Sequence, residues 1–430
     1  MTEPHDWTAT QALRNIAAGT VSRADYVDAC LRRIDAVDAP VMAWAHLDRD
    51  GARAHAAALD AAGIAGPLSG VPFGIKDIID TADMPTRLGS PIYEHNQPAG
   101  DAACVALTRR AGGIALGKTV STEFANVHPG KTRNPFDPAR TPGGSSSGSA
   151  AAVGARMVPL AIGTQTTAST IRPASFCGVY GFIPTQGRIS CSGVRQASWT
   201  LDRLGLFARS VADIALFRDV LRGATPQPLA AASQTPRIAF CRTHLWDRLE
   251  PTTAALIEGA ARDLAGAGAT VTDLDLPAAF AEAADGHRWI SSYEFTKNFT
   301  FEIDHHFEQI SQTLRTGRIA DGLGCTPETY EQAVALAAQC AVQFDNVIAP
   351  YDAILTVGAA GEAPLGNATG DYSFCALWTA LQVPCITIPA LTGPNGLPVG
   401  VQLIGRKGHD GNLLRTAAWV ARALGVPDPA

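Results

Sequence analysis

TPGGSSSGSAAAVGARMVPLAIGTQTTASTIRPASFCGVYGFIPTQG, residues 141–187, decides how the rest of the chain is read. It sets serines among small residues at two points. One is the glycine-rich loop that begins Gly143, Gly144, Ser145; the other is Ser169, which follows Thr166, Thr167 and Ala168. Upstream, Lys76 is the lone charge closing the apolar run GVPFGIK at 70–76. A serine nucleophile, a second serine and a lysine base are a set suited to amide hydrolysis, which needs an activated nucleophile, a proton for the leaving nitrogen and donors for the developing oxyanion.

Outward from this stretch, the chain supports one large α/β unit. Its 430 residues are 46% hydrophobic and 17% charged, enough apolar material for a large core and too much for a disordered chain. The formal net charge of −6, without a Lys/Arg run, argues against a nucleic-acid partner. Apolar runs break well before the length of a membrane span, and the acidic opening MTEPHD has no signal-peptide core. Nine cysteines without CxxC spacing read as reduced, buried thiols in a cytoplasmic protein.

Residues 1–65 read as helical, with Ser22 capping a helix over 23–37 whose Tyr26, Ala29, Cys30 and Ile34 share a face. From residue 70 short β-rich runs alternate with helical ones: strands over 71–76, 114–116 and 159–162, helices over 102–111 and 149–156. Such alternation predicts a central sheet with helices on both faces. An Ala/Pro/Gln/Ser-rich stretch at 223–236 marks a candidate boundary, followed by strands at 237–241 and 269–274 around a helix at 252–265. Residues 277–350 read as mostly helical and rich in aromatics, among them Trp289, Tyr293 and Phe299.

The 141–187 stretch resembles the signature region of the amidase signature family, whose pattern runs GGSSxGSAAAVA, GTxTxGSxIRPA and GxxGxKPTxGR. The GVPFGIKD segment around Lys76 resembles that family's lysine strand, and LPVGVQLIG at 397–405 its closing strand. Matches at start, middle and end imply one domain over 1–430, with 66–225 as the catalytic core and 277–350 as an insertion shaping the substrate pocket. The implied fold is a mixed central sheet surrounded by helices.

Chemistry follows from the residues beside that likeness. Ser169, at a turn of small residues, is the expected nucleophile, with the backbone N–H groups of Thr166, Thr167 and Ala168 as the oxyanion hole. Lys76 is the expected base; burial beside Val71, Phe73 and Ile75 would lower its pKa, and strand alternation turns Asp77 to the other face. The resemblance implies that Ser145, 24 residues before Ser169, relays the proton and follows a cis Gly144–Ser145 bond. It also implies that Gly144 and Glu123 border the substrate. Thr167-Ala168 stand where the family has glycines, and a left-handed φ there would be strained. Gln165 and Ile183 replace its usual aspartate and lysine.

Competing readings of the same residues are weaker. GSSSG at 144–148 fits a GxSxG elbow with Ser146 as nucleophile, but the prolines at 135, 138 and 142 do not read as the strand such an elbow follows. Asp304, His305, His306 and Glu308 lack metal-site spacing. Arg172 is expected to hold the serine loop and Lys118 to orient a turn. No metal or organic cofactor is implied. The expected reaction is hydrolysis of a small-molecule amide or urea through an acyl-enzyme on Ser169. Two alternatives stand beside it: the glutaminase subunit of a tRNA-dependent amidotransferase, and a non-catalytic binder that keeps the fold. A homodimer is the default assembly, and an accessory subunit stays open.

Overall fold

A computed structural model describes residues 3–63, 65–230, 232 and 234–427. Residues 231 and 233 of the candidate boundary and Met1 and Thr2 of the acidic opening therefore lie outside the described residues. Among the described residues the strands form one eleven-stranded mixed sheet in the order β1-β3-β2-β4-β6-β5-β10-β11-β9-β7-β8. These are β1 (Trp44–Leu47), β2 (Pro72–Lys76), β3 (Ile114–Thr119), β4 (Leu160–Gln165), β5 (Tyr180–Ile183) and β6 (Arg203–Ala208), then β7 (Arg237–Phe240), β8 (Thr270–Asp273), β9 (Ala353–Val357), β10 (Cys385–Thr392) and β11 (Pro398–Ile404). The predicted α/β architecture is what forms. The described residues of 223–236 lie between the helix Val211–Leu221 and β7, and the strands before and after them belong to the same sheet.

Ser22 caps the helix Arg23–Val41 by accepting from the Asp25 N–H, and Tyr26, Ala29, Cys30 and Ile34 are all buried. The helix outruns the predicted end by a turn and stops at Met42, in the left-handed conformation (φ 54°). Strand β1 between the first helices was not legible, being only four residues long. The stretch 277–350 is helical, with Ala279–Asn298 packed against Pro327–Ile348. Among the described residues no helix is long and apolar enough to cross a membrane.

The site is positioned by β2, β4 and the helix Ser147–Gly154. Strand β2 pairs in parallel with β3 and β4, and every residue of β2 is buried, as a strand covered on both faces should be. The small residues of Ser147–Gly154 have a steric cause. A Cβ on Gly148 would stand 2.3 Å from the Ala43 carbonyl oxygen and 2.3 Å from the Val120 nitrogen. The helix lies against backbone, and the serine loop at its start is pressed down toward the end of β2.

Candidate active site

Lys76, the last residue of β2, is fully buried, and its Nζ donates to Ser145 Oγ at 2.7 Å and to Thr164 Oγ1 at 2.8 Å. Burial lowers its pKa to about 7; the negative charge of Asp202 works in the opposite direction. Asp77 does not oppose this, because it faces the other way. It accepts from the Arg87 N–H at 3.1 Å and lies 3.5 Å from the ammonium of Lys118, which also donates to Pro85 O and Thr86 Oγ1. The strand ends at Lys76, so Asp77 is turned away by the turn that follows β2 and not by strand alternation, and Lys118 ties down the 85–86 segment.

The Gly144–Ser145 peptide is cis. Arg172 holds the loop: Nη2 donates to Gly144 O at 2.6 Å and Nη1 to Gly370 O at 2.7 Å. Gly144 has no room for a side chain, since a Cβ there would meet Thr369 Cγ2 at 2.7 Å and Thr122 Cγ2 at 3.0 Å. Ser146 is excluded as an elbow nucleophile because its hydroxyl is tied on both sides to the backbone of Thr164.

Ser169 follows β4 in a tight turn, and its carbonyl accepts from the Ser146 N–H at 3.2 Å, joining the two serine segments. Its hydroxyl makes no hydrogen bond among the described residues. The backbone N–H groups of residues 166–169 likewise have no acceptor among the described residues. Neither Thr167 nor Ala168 has a positive φ, so the strain expected from replacing glycines is absent. Gln165 has a role that its position in the strand conceals: Oε1 accepts from the N–H groups of Thr170 and Ile171, capping the next helix. Ile183, in place of a lysine, is simply buried in the core.

Residues 166–169 and Arg172 line a narrow recess that continues, through Asn126, Val127, Arg318 and Tyr372, into a cleft of about 770 Å³. One wall of the cleft comes from the helical stretch, which supplies His287, Arg288, Ser291 and Arg318. Glu123 does not line this cleft. Its buried carboxylate accepts from the Ser311 N–H and so anchors the helical stretch to the segment whose Ala125–Val127 border the recess.

Four side chains that sequence reasoning missed complete the site. Asp202 accepts from Thr166 Oγ1 at 2.5 Å and from the Ala197 N–H at 2.6 Å; burial raises its pKa to about 6. His287 is buried and its Nε2 lies 2.9 Å from Thr166 O. Thr379 donates to Thr167 O at 2.9 Å. Arg318 is half-buried at the cleft, with no carboxylate within ion-pair distance among the described residues, whereas its neighbour Arg288 is paired with Asp321. None of these lies in a serine-rich or lysine-bearing motif, and their distance in sequence gave no signal. The Asp304–Glu308 group holds no metal arrangement: His305 and His306 pack on the Phe301 ring and Glu308 pairs with Arg315.

Comparison with known proteins gives the family. The family model described as Amidase matches residues 25–414. A curated glutamyl-tRNA(Gln) amidotransferase subunit from Chloroflexus aurantiacus is 33% identical, with 96% of each chain aligned. A crystal structure of an amidase superposes with a TM-score of 0.89 at 28% identity, covering 97% of this chain and 99% of that one. The peptide amidase of Stenotrophomonas maltophilia gives 0.83 at 28% identity, covering 99% and 98%. With a family model spanning nearly its whole length and neighbours that share its entire fold, the chain belongs to the amidase family, hydrolases of carbon–nitrogen bonds.

Proposed function

We propose that the chain cleaves a carboxamide through an acyl-enzyme on Ser169, and that the amide is glutamine, its nitrogen passed on as ammonia. The observation that carries the chemistry is the buried 2.7 Å contact between Lys76 Nζ and Ser145 Oγ, on a lysine whose pKa burial lowers to about 7. Neutral Lys76 takes the Ser145 proton as Ser145 takes that of Ser169, whose Oγ attacks the amide carbon. Charge grows on the carbonyl oxygen against the N–H groups of Thr166, Thr167 and Ala168. The C–N bond then breaks as Ser145 returns a proton to the leaving nitrogen. Water repeats the sequence on the ester, releasing the acid and freeing Ser169.

Two observations favour glutamine over a simple amide. A curated relative aligned over 96% of its length bears the amidotransferase name, and Arg318 offers a guanidinium without a carboxylate partner among the described residues beside the recess, fit for a substrate carboxylate. On this reading the chain works with partner subunits, in the reducing cytoplasm that nine unpaired cysteines suit. The second reading, a stand-alone hydrolase of small amides, is favoured by the solved structures of an amidase and a peptide amidase, both near-complete superpositions. The intact Lys76–Ser145 contact speaks against a non-catalytic binder.

The test is ammonia release from glutamine, simple amides, aryl amides and biuret-type ureas, with wild type beside Lys76→Ala and Ser169→Ala. Turnover of glutamine, lost in both variants, supports the proposal. Turnover of other amides with none of glutamine selects the second reading. Turnover that survives Ser169→Ala removes the assigned nucleophile.

A further inference from the structure

An oxyanion hole made of backbone N–H groups is only as good as the orientation of its peptide planes, and in a trans peptide the N–H points opposite to the carbonyl of the preceding residue. In the 166–169 turn the N–H groups have no partner among the described residues, yet the carbonyls do. His287 Nε2 sits 2.9 Å from Thr166 O; a carbonyl only accepts, so the ring carries its proton on Nε2. Thr379 Oγ1 donates to Thr167 O at 2.9 Å and is itself approached by Gln165 Nε2 at 3.3 Å, which directs the hydroxyl proton onto the carbonyl. Ala168 O accepts from the Arg172 N–H at 3.1 Å. Three successive peptide planes are thus each pinned by the oxygen, leaving the N–H edges of Thr167, Ala168 and Ser169 turned the other way.

Two of these three clamps come from outside the turn. His287 lies in the helix Ala279–Asn298 and Thr379 in the short helix Ala376–Ala380, both buried and more than a hundred residues downstream of Ser169. Neither clamp is required to form the helix or strand that carries it. Thr166 is fixed a second time through its side chain by Asp202.

We propose that His287 and Thr379 are positioning residues of the oxyanion hole, holding the carbonyls of Thr166 and Thr167 so that the N–H groups of Thr167 and Ala168 face the developing oxyanion. The inference rests on the reading of Ser169 as nucleophile. It makes the helical stretch part of the catalytic apparatus as well as a wall of the cleft, since one of its side chains fixes a donor of the hole.

The test is the rate of covalent labelling by a fluorophosphonate, whose phosphoryl oxygen occupies the oxyanion position and which needs no knowledge of the substrate. Thr379→Val and His287→Leu remove the clamps at similar volume; Thr379→Ser and His287→Gln keep a donor. The expected result is labelling slowed about 10- to 100-fold in Val and Leu, less than the roughly 10²–10³ of deleting a donor outright. The Ser and Gln variants should stay within about threefold of wild type, and in any amide turnover the loss should fall on kcat with KM little changed. Equal slowing in both members of each pair, or less than threefold slowing in Val and Leu, overturns the proposal. If Ser169→Ala still labels, the nucleophile assignment fails instead. Should one variant not fold, the other position carries the test alone.

Discussion

If Lys76 is the base, activity must follow its neutral fraction. An ordinary lysine, with a pKa of ~10.4, is neutral in only about four molecules in ten thousand at pH 7. Burial brings Lys76 to about 7, so that about half is neutral there, roughly a thousandfold more. Deprotonation of the base raises activity, so kcat/KM should climb with pH and level off above about 8. Below the midpoint it should fall about tenfold per unit, to about one-tenth at pH 6 and one-hundredth at pH 5. The assay is kcat/KM for ammonia release across pH 5–10, on the amide turned over fastest, in buffers of constant ionic strength, with folding followed at each pH. A profile still rising steeply at pH 9 means a lysine left charged by its surroundings. A flat profile from pH 5 to 8 means that the proton goes elsewhere. Either result refutes the reasoning from burial to base.

Other outcomes follow from the same geometry. Replacing Lys76 by Met removes the cost of holding a lysine in an apolar site, about 4 kcal/mol at pH 7, but leaves the hydroxyls of Ser145 and Thr164 short of a partner at about 1–3 kcal/mol each. The two nearly cancel, so the informative quantity is the pH dependence. The folded pKa lies below the unfolded one, so between about 7 and 10 the unfolded chain binds more protons and wild type gains stability as pH rises. Urea unfolding should show wild type gaining about 2.5 kcal/mol on Lys76→Met from pH 7.5 to 9.5, with no such gain if Lys76 is solvated. Arg318→Met should raise KM at least tenfold for glutamine and leave amides without a carboxylate within about twofold, since a charge-assisted hydrogen bond is worth about 1.5–3 kcal/mol; steady-state kinetics on both decides it. Gly148→Ala drives a methyl onto the backbone of Ala43 and Val120 and should destabilise by about 3 kcal/mol, read as a drop in thermal midpoint, whereas the same change at exposed Gly266 should be neutral or better.

How far the sequence could be read depended on whether a residue's role was local. Ser22 capped its helix, β2 was a buried strand, and the serine loop opened a helix of small residues, because each depends on neighbours in the chain. The contact between Lys76 and Ser145 was anticipated through a motif, since nothing in the spacing of the two residues sets the distance. Asp202, His287, Thr379 and Arg318 were illegible because each reaches the site from an element that is ordinary by itself. Glu123 was expected at the substrate and instead braces the helical stretch through the Ser311 N–H, a contact 188 residues away in the chain. Thr167 and Ala168 looked costly in place of glycine, yet the turn forms with negative φ at both.

The place of β10 and β11 in the sheet bears on how the protein is made. They join β5 on one side to β9 on the other, so the strands from β1 to β6 and those from β7 to β9 meet only through a hairpin of residues 385–404. While the chain emerges from the ribosome, two partial sheets must wait side by side, each with a raw apolar edge, for a pair of strands synthesised last. Such edges recruit other chains, so aggregation is the hazard of this interval. A fragment ending before residue 385 would keep Lys76, Ser145 and Ser169 and still lack the bridge that closes the sheet around them. Expression of such fragments should yield aggregates, and supplying the hairpin later as a separate peptide would find its slot already lost.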